Sequence, residues 1–216
     1  MSKNLINRRA TVCGALTACF NIIVMRSTLA ACQLTAEQAE GPFYPVEIPE
    51  NDWDLTKVNG GLQRAKGEVI QVVGQVLNNK CRPVAGCDLV VWQANSKGRY
   101  AHPDDSGSKE PLDKNFQGDG RIKADVKGFY RFLTIVPGAY SAGRNWVRPP
   151  HIHFKIQSSH ASLTTQMYFA GNEYNESDYL LKSLAHSDRK TLIVPFDEVR
   201  ADGIKTGRFN IILPGD

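Results

Sequence analysis

Two histidines, His151 and His153, stand one residue apart in RPPHIHF (148–154), with Arg148 just ahead of them. In a β-strand successive side chains alternate faces, so the two imidazoles share a face while Ile152 enters the other layer. That pairing makes half of a metal site. Alone, an H-x-H pair is more often a solvated or hydrogen-bonded strand feature than a ligand pair, so other donors must decide. His102, His160 and His186 lie in polar, loop-like contexts, and no acid within RPPHIHF completes a two-histidine, one-carboxylate triad. No cysteine is free for zinc unless Cys81 and Cys87 stay reduced. Tyrosine offers another completion. A phenol ionises near a pKa of about 10, but a strongly Lewis-acidic ion deprotonates its ligands well below their free values. Two tyrosinates with two imidazoles would suit a hard ferric ion and stabilise it against reduction. Tyr100, in WQANSKGRY, and Tyr140, in TIVPGAY just upstream of the histidines, stand at strand or loop junctions beside glycines.

The elements that must position these residues read as strands. Runs rich in Val, Ile, Phe and Tyr occupy 68–77, 87–94, 128–135, 151–157, 163–170, 190–196 and 207–213, separated by turn chemistry such as NNKCRP, VPGAY and ADG. One helical candidate, ESDYLLKSL, covers 176–184. Seven short strands with almost no helix predict an all-β fold, an antiparallel β-sandwich with Greek-key connections. The stretch from Gly98 to Lys127 is too long for a mere connector and is expected to build a site. Ahead of the strands, residues 32–66 form an extended arm carrying EGPFYP, and the sandwich domain occupies 67–216. No internal repeat, Gly-rich phosphate loop or nucleophile elbow is visible.

Residues 1–31 read as an export signal. They carry Lys3, Arg8, Arg9 and Arg26, no acid, and sixteen uncharged residues from Ala10 to Met25, short of the roughly 20 apolar residues of a membrane span. The paired arginines resemble a twin-arginine signal, and LAAC resembles a lipobox in which Cys32 is acylated, so the expected location is periplasmic or lipid-anchored to the cell envelope. The formal charge of +4 belongs to this leader, because four of the 26 basic residues leave with it and 22 remain against 22 acids. A nucleic-acid partner is therefore not expected. Cys81 and Cys87 flank RPVAG, and their spacing leaves open a disulfide across that turn or two small buried side chains.

VVWQANSKGRY, GFYRFLTIVPGAY and RPPHIHFKI, in this order and with EGPFYP upstream, resemble the intradiol ring-cleavage dioxygenases, the family of protocatechuate 3,4-dioxygenase and catechol 1,2-dioxygenase. The likeness runs from about Glu40 to Phe169. It implies that Tyr100, Tyr140, His151 and His153 bind non-haem Fe(III), with Tyr140 the ligand that swings away when substrate binds. It implies further that Arg148 stabilises negative charge on the substrate ring and that Gln166, in TTQMYF, stands near the ring and the oxygen site. The partners implied are a small aromatic diol and O2, opened to a cis,cis-muconate-type diacid. Relatives commonly assemble, which makes a homo-oligomer compatible with the reading.

Two departures bear on the pocket. Family members often carry tryptophan two residues after the second tyrosine, where this chain has Ala142. The length leaves no room for the helical dimerisation domain of catechol 1,2-dioxygenases, which sets the chain nearer a protocatechuate-type subunit whose site lies between two different subunits. Phe43 and Tyr44 are candidates for the missing wall. The alternative readings are a non-catalytic transthyretin-like β-sandwich binding module on the cell envelope and a zinc hydrolase. The second gives no reason for two tyrosines beside the histidine pair.

Overall fold

The computed structural model describes residues 32–47, 51–58 and 61–215, so the expected export signal lies outside the described residues. Twelve strands follow in order: β1 (Val69–Asn78), β2 (Asp88–Trp92), β3 (Asp119–Lys123), β4 (Phe129–Ile135), β5 (Tyr140–Gly143), β6 (Trp146–Arg148), β7 (His151–Gln157), β8 (Ser162–Phe169), β9 (Ile193–Val194), β10 (Glu198–Val199), β11 (Lys205–Arg208) and β12 (Ile211–Leu213). Two short helices, α1 (Tyr179–Lys182) and α2 (His186–Lys190), sit between β8 and β9. The helical candidate thus contracts to its last turn and the strand expected from 190 begins at Ile193. The long stretch after Gly98 contains a 3₁₀ turn (Pro103–Asp105) and a strand, β3, that the pattern did not reveal. No helix among the described residues is long and apolar enough to cross a membrane.

One sheet has β1 at its centre, with β4 antiparallel on one side and β11 and β12 parallel on the other. Val73 faces Arg208 and Val76 faces Ile211, so β11 and β12 keep one register along β1. The second sheet runs β3-β2-β7-β8-β9, with β8 and β9 parallel. The architecture is therefore mostly β, with mixed sheets in place of the expected all-antiparallel pairing. Parallel neighbours need a long crossover, and the chain supplies one through the helical segment and the other through nearly its whole length.

The core forms between the sheets. Ile152, Phe154 and Ile156 of β7 are fully buried, and Phe154 meets Phe132, Tyr130 and Phe209 of the other sheet at ring-centroid distances of 6.0, 6.3 and 5.0 Å. Because side chains alternate, His151 and His153 project from the opposite, outer face of that sheet.

The chain's own N-terminal segment runs from the β1 sheet onto that outer face, where residues 38–44 reach Tyr168, Gln166, His153 and Trp92. Residues 32–40 form no regular element, and their backbone is tied down at Cys32 N–H to Asn79 O, Thr35 N–H to Ile212 O and Gln38 N–H to Thr164 O. A disulfide joins Cys32 to Cys81 with 5.3 Å between Cα atoms. This replaces the possible Cys81–Cys87 bridge. Cys87 is fully buried in the core beside β2, whereas Cys81 occupies the turn after β1 with φ of 59°, so the two point to different places.

Candidate active site

The strand register lines up the site. Trp92 of β2, His153 of β7 and Gln166 of β8 stand opposite one another in one cross-strand row, and His151 with Tyr168 forms the next. Tyr100 arrives from the loop after β2, which Asn95 braces by accepting from Lys97 N–H and Arg99 N–H and donating to Pro111 O. Asp105 of the 3₁₀ turn then accepts the backbone N–H of Tyr100 at 2.7 Å. Tyr140 and Arg148 face each other across the β5–β6 hairpin.

Three donor atoms converge. The Tyr100 hydroxyl lies 3.1 Å from Nε2 of His153 and 3.4 Å from Nε2 of His151. Tyr140 completes the ring cluster, 5.6 Å from both Tyr100 and His151 between centroids. His151 donates from Nδ1 to Pro149 O at 2.6 Å; a carbonyl only accepts, so its Nε2 lone pair is turned to the cluster. His153 is oriented by stacking on Trp92, with centroids 4.7 Å apart and planes 11° apart, while its buried Nδ1 finds no partner in the protein.

Burial and the nearby Arg148 hold His151 far below the ordinary imidazole range and His153 at about 3. Both are neutral at any physiological pH. The phenols of Tyr100 and Tyr140 are pushed up, chiefly by burial, with Arg148 working against that rise. Two neutral imidazoles and two phenols thus share a buried place where unsatisfied polar atoms are costly, and Nδ1 of His153 is one such atom. A small hard cation would suit this set of imidazole nitrogens and phenol oxygens, and its charge would offset the cost of ionising the phenols. The residues present fit the metal that the sequence implied.

Arg148 is buried, and its guanidinium is gripped from two sides. Nε donates to Asp178 at 2.8 Å, while Nη2 donates to Gln166 Oε1 at 2.6 Å and Tyr168 hydroxyl at 3.1 Å. Burial disfavours its charge, but Tyr168, Tyr140 and Asp178 outweigh that and raise its pKa further. Gln166 in turn donates to Ala39 O of the N-terminal segment at 2.7 Å. Phe43 stacks on Tyr100 at 4.4 Å and Tyr44 meets Trp92 edge-on at 5.0 Å, so both candidate wall residues reach the site. A cavity of about 420 Å³ opens beyond Phe43 and Tyr100, bordered by His102, Gln93, Glu47 and Asp119. A larger one of about 780 Å³ lies away from the histidines, between β3, β4 and Trp53.

Every residue the sequence singled out as a ligand, together with Arg148 and Gln166, comes together here. His102 instead caps the 3₁₀ turn, and His160 and His186 are exposed. Sequence reasoning missed Asp178, Tyr168 and Gln38, the last accepting from the Tyr168 hydroxyl at 3.0 Å. Asp178 did carry a signal, as an acidic residue at the head of a helical run, but only for a cap.

A two-sheet β fold with a tyrosine, histidine and arginine cluster on its outer face defines a class, and comparison with known proteins gives the same one. The family model described as Dioxygenase matches residues 39–215. The chain belongs to the intradiol ring-cleavage dioxygenases. Protocatechuate 3,4-dioxygenase beta chain of Burkholderia cepacia is 41% identical over 181 residues, covering 81% of this chain and 77% of its own. Catechol 1,2-dioxygenase 1 of Acinetobacter lwoffii is 30% identical over 201 residues, covering 83% and 61%. Among solved structures, catechol 1,2-dioxygenase from Pseudomonas arvilla C-1 superposes with a TM-score of 0.65 at 28% identity, over 84% of this chain and 62% of that one. The dioxygenase domain of a carbohydrate-binding fusion protein from Streptomyces sp. SirexAA-E does so at 0.62 and 27%, over 85% and 100%. The chain therefore spans between about half and two thirds of the catechol 1,2-dioxygenases it matches.

Proposed function

We propose that this chain opens the ring of a catechol-type diol with O2, between the two hydroxyl-bearing carbons, to a cis,cis-muconate-type diacid that keeps both oxygen atoms, using non-haem Fe(III) held by Tyr100, Tyr140, His151 and His153. The observation that carries this reading is the convergence of one phenol and two neutral imidazoles, at 3.1 and 3.4 Å, beside a buried arginine. Bound there, ferric iron supplies a Lewis acid that holds the diolate and makes its ring reactive toward O2. The protein's own groups do the rest. Tyr140 is half-buried on a two-stranded hairpin, and as a phenolate it would take a proton from the incoming diol. Arg148 cannot lose its proton and faces the developing ring charge in a site shielded from water. Gln166 holds Arg148 in place, and Phe43 closes the side next to Tyr100.

A carboxylate-bearing substrate would want a second cation in the pocket, and the arginines near the ligands in sequence lie elsewhere. Arg99 is spent on Glu110 O, Arg131 sits exposed on β4 of the other sheet, and Arg144 is exposed at the hairpin tip. Among the described residues, the cavity beyond Phe43 adds Glu47 and Asp119 and no Lys or Arg. We therefore favour catechol or hydroxyquinol over protocatechuate. Export is part of the same proposal, because a disulfide persists in oxidising compartments; the Cys32 sulfur held in that bond has no valence left for a thioether-linked lipid.

The test is the visible spectrum and metal content of protein loaded with iron, before and after anaerobic addition of catechol, hydroxyquinol and protocatechuate. Support is a tyrosinate charge-transfer band that weakens in Tyr140→Phe and shifts with the first two diols. Colourless protein that takes up no iron overturns the reading and leaves a binding module.

A further inference from the structure

Asp178 stands at the head of α1 with no exposed surface, and three donors converge on its carboxylate. Oδ1 accepts Leu181 N–H at 2.9 Å, which caps the helix. Oδ2 accepts Arg148 Nε–H at 2.8 Å and Trp146 Nε1–H at 3.2 Å. Both of these residues belong to β6, so one carboxylate pins the two ends of the strand that carries Arg148 and backs Tyr140. Trp146 is further held by the ring of Tyr179 at 5.2 Å and lies 5.6 Å from the Arg148 guanidinium.

A buried ion pair is weak evidence for stability, since apolar residues of the same volume often serve as well. What distinguishes this one is direction. Asp178 takes the Nε edge of the guanidinium, Gln166 and Tyr168 take Nη2, and the Tyr140 hydroxyl is hydrogen-bonded to the same guanidinium. A planar fork held on two edges has one orientation available to it.

We propose that Asp178 is a positioning residue for ring opening: it fixes the Arg148 guanidinium in one orientation beside Tyr140, and through Trp146 it keeps the β5–β6 hairpin seated while Tyr140 swings out. This rests on the dioxygenase reading above. The same contact makes α1 part of the active site although none of its residues reaches the metal ligands.

Asp178→Asn is the discriminating change, because asparagine also caps helices well and keeps the shape while removing the charge. In the metal-free protein the Arg148 Nε–H resonance is expected to be protected from exchange in the wild type and lost in the variant. In the iron-loaded protein the tyrosinate band stays, since no ligand changes. Turnover of catechol falls between about ten- and a hundred-fold, the scale set by misplacing a catalytic group, while KM moves less than about threefold. Arg148→Lys gives a similar loss, and Asp178→Asn/Arg148→Lys loses no more than Arg148→Lys alone, because the first residue acts only through the second. Additive losses, or turnover that falls only in step with the melting temperature, overturn the role of Asp178 and leave the enzyme reading intact. Wild-type protein that holds iron but opens no diol overturns both.

Discussion

Replacing Cys81 with serine opens a covalent loop that spans a sequence separation of 49. A cross-link of that span removes about 14 cal/mol/K of chain entropy from the unfolded state, or about 4 kcal/mol at 25 °C. The folded state has other ties across the same gap, at Cys32 N–H, Thr35 N–H and Gln38 N–H. They limit fraying of the N-terminal segment without altering the unfolded reference, so the expected loss is about 2–4 kcal/mol. Urea unfolding followed by tryptophan fluorescence measures it in three samples: oxidised wild type, wild type in reductant, and Cys81→Ser. The last two are expected to share one lowered midpoint, and reductant is expected to do nothing more to Cys81→Ser. A loss below about 1 kcal/mol, or a further effect of reductant on the variant, refutes the pairing of Cys32 with Cys81.

Gly41 has φ of +77°, and a Cβ there would lie 3.4 Å from Cε1 of His153. Gly41→Ala is expected to cost about 1–2 kcal/mol and to shift the His153 ring resonances. Thr134→Val removes the hydroxyl that donates to Gln93 Oε1 at 2.7 Å in the interior, and calorimetry should register a loss of about 1–3 kcal/mol. Burial raises the Asp119 carboxyl from 3.8 to about 6, so its neutral form favours folding below about pH 4 and that contribution fades as pH rises through 6. Solvent reaches part of this group, which reduces the effect to about 1–2 kcal/mol; Asp119→Asn should be the more stable protein at pH 7 and level with wild type at pH 4. In Tyr140→Phe, iron titration should give a weaker visible band than in wild type.

The strands with both faces spoken for were legible in the sequence. β1, β2, β4, β7 and β8 are dense in Val, Ile, Leu and Phe, and their periodicity survives any choice of partner. β3 was not: DGRIK offers a single large apolar side chain, Ile122, between charges, and reads as loop until a neighbour pairs with it. The parallel placement of the last strands beside β1 leaves no local trace, because register is a property of two segments. The four residues of the candidate site were legible for a similar reason. His151 and His153 need only strand alternation to share a face, and Tyr100 and Tyr140 follow as donors of the right hardness. Asp178 and Tyr168 were not, since a side chain that acts by gripping another across 30 or 20 positions looks, in sequence, like a helix cap and a core aromatic.

The central position of β1 also sets a clock. It is the first strand of the sandwich to be made, yet the edge that receives β11 and β12 stays bare until residues some 135 positions later emerge, as the pairing of Val73 with Arg208 requires. At about 5–20 residues per second that is roughly 7–27 s during which VIQVVGQVL can recruit β4 on one side but nothing native on the other. An exposed, β-branched edge of this kind invites pairing between chains. Slow synthesis, or any interruption before residue 205, should therefore be paid for in aggregates, and a cell that makes this protein well must shield that edge while the chain is being completed.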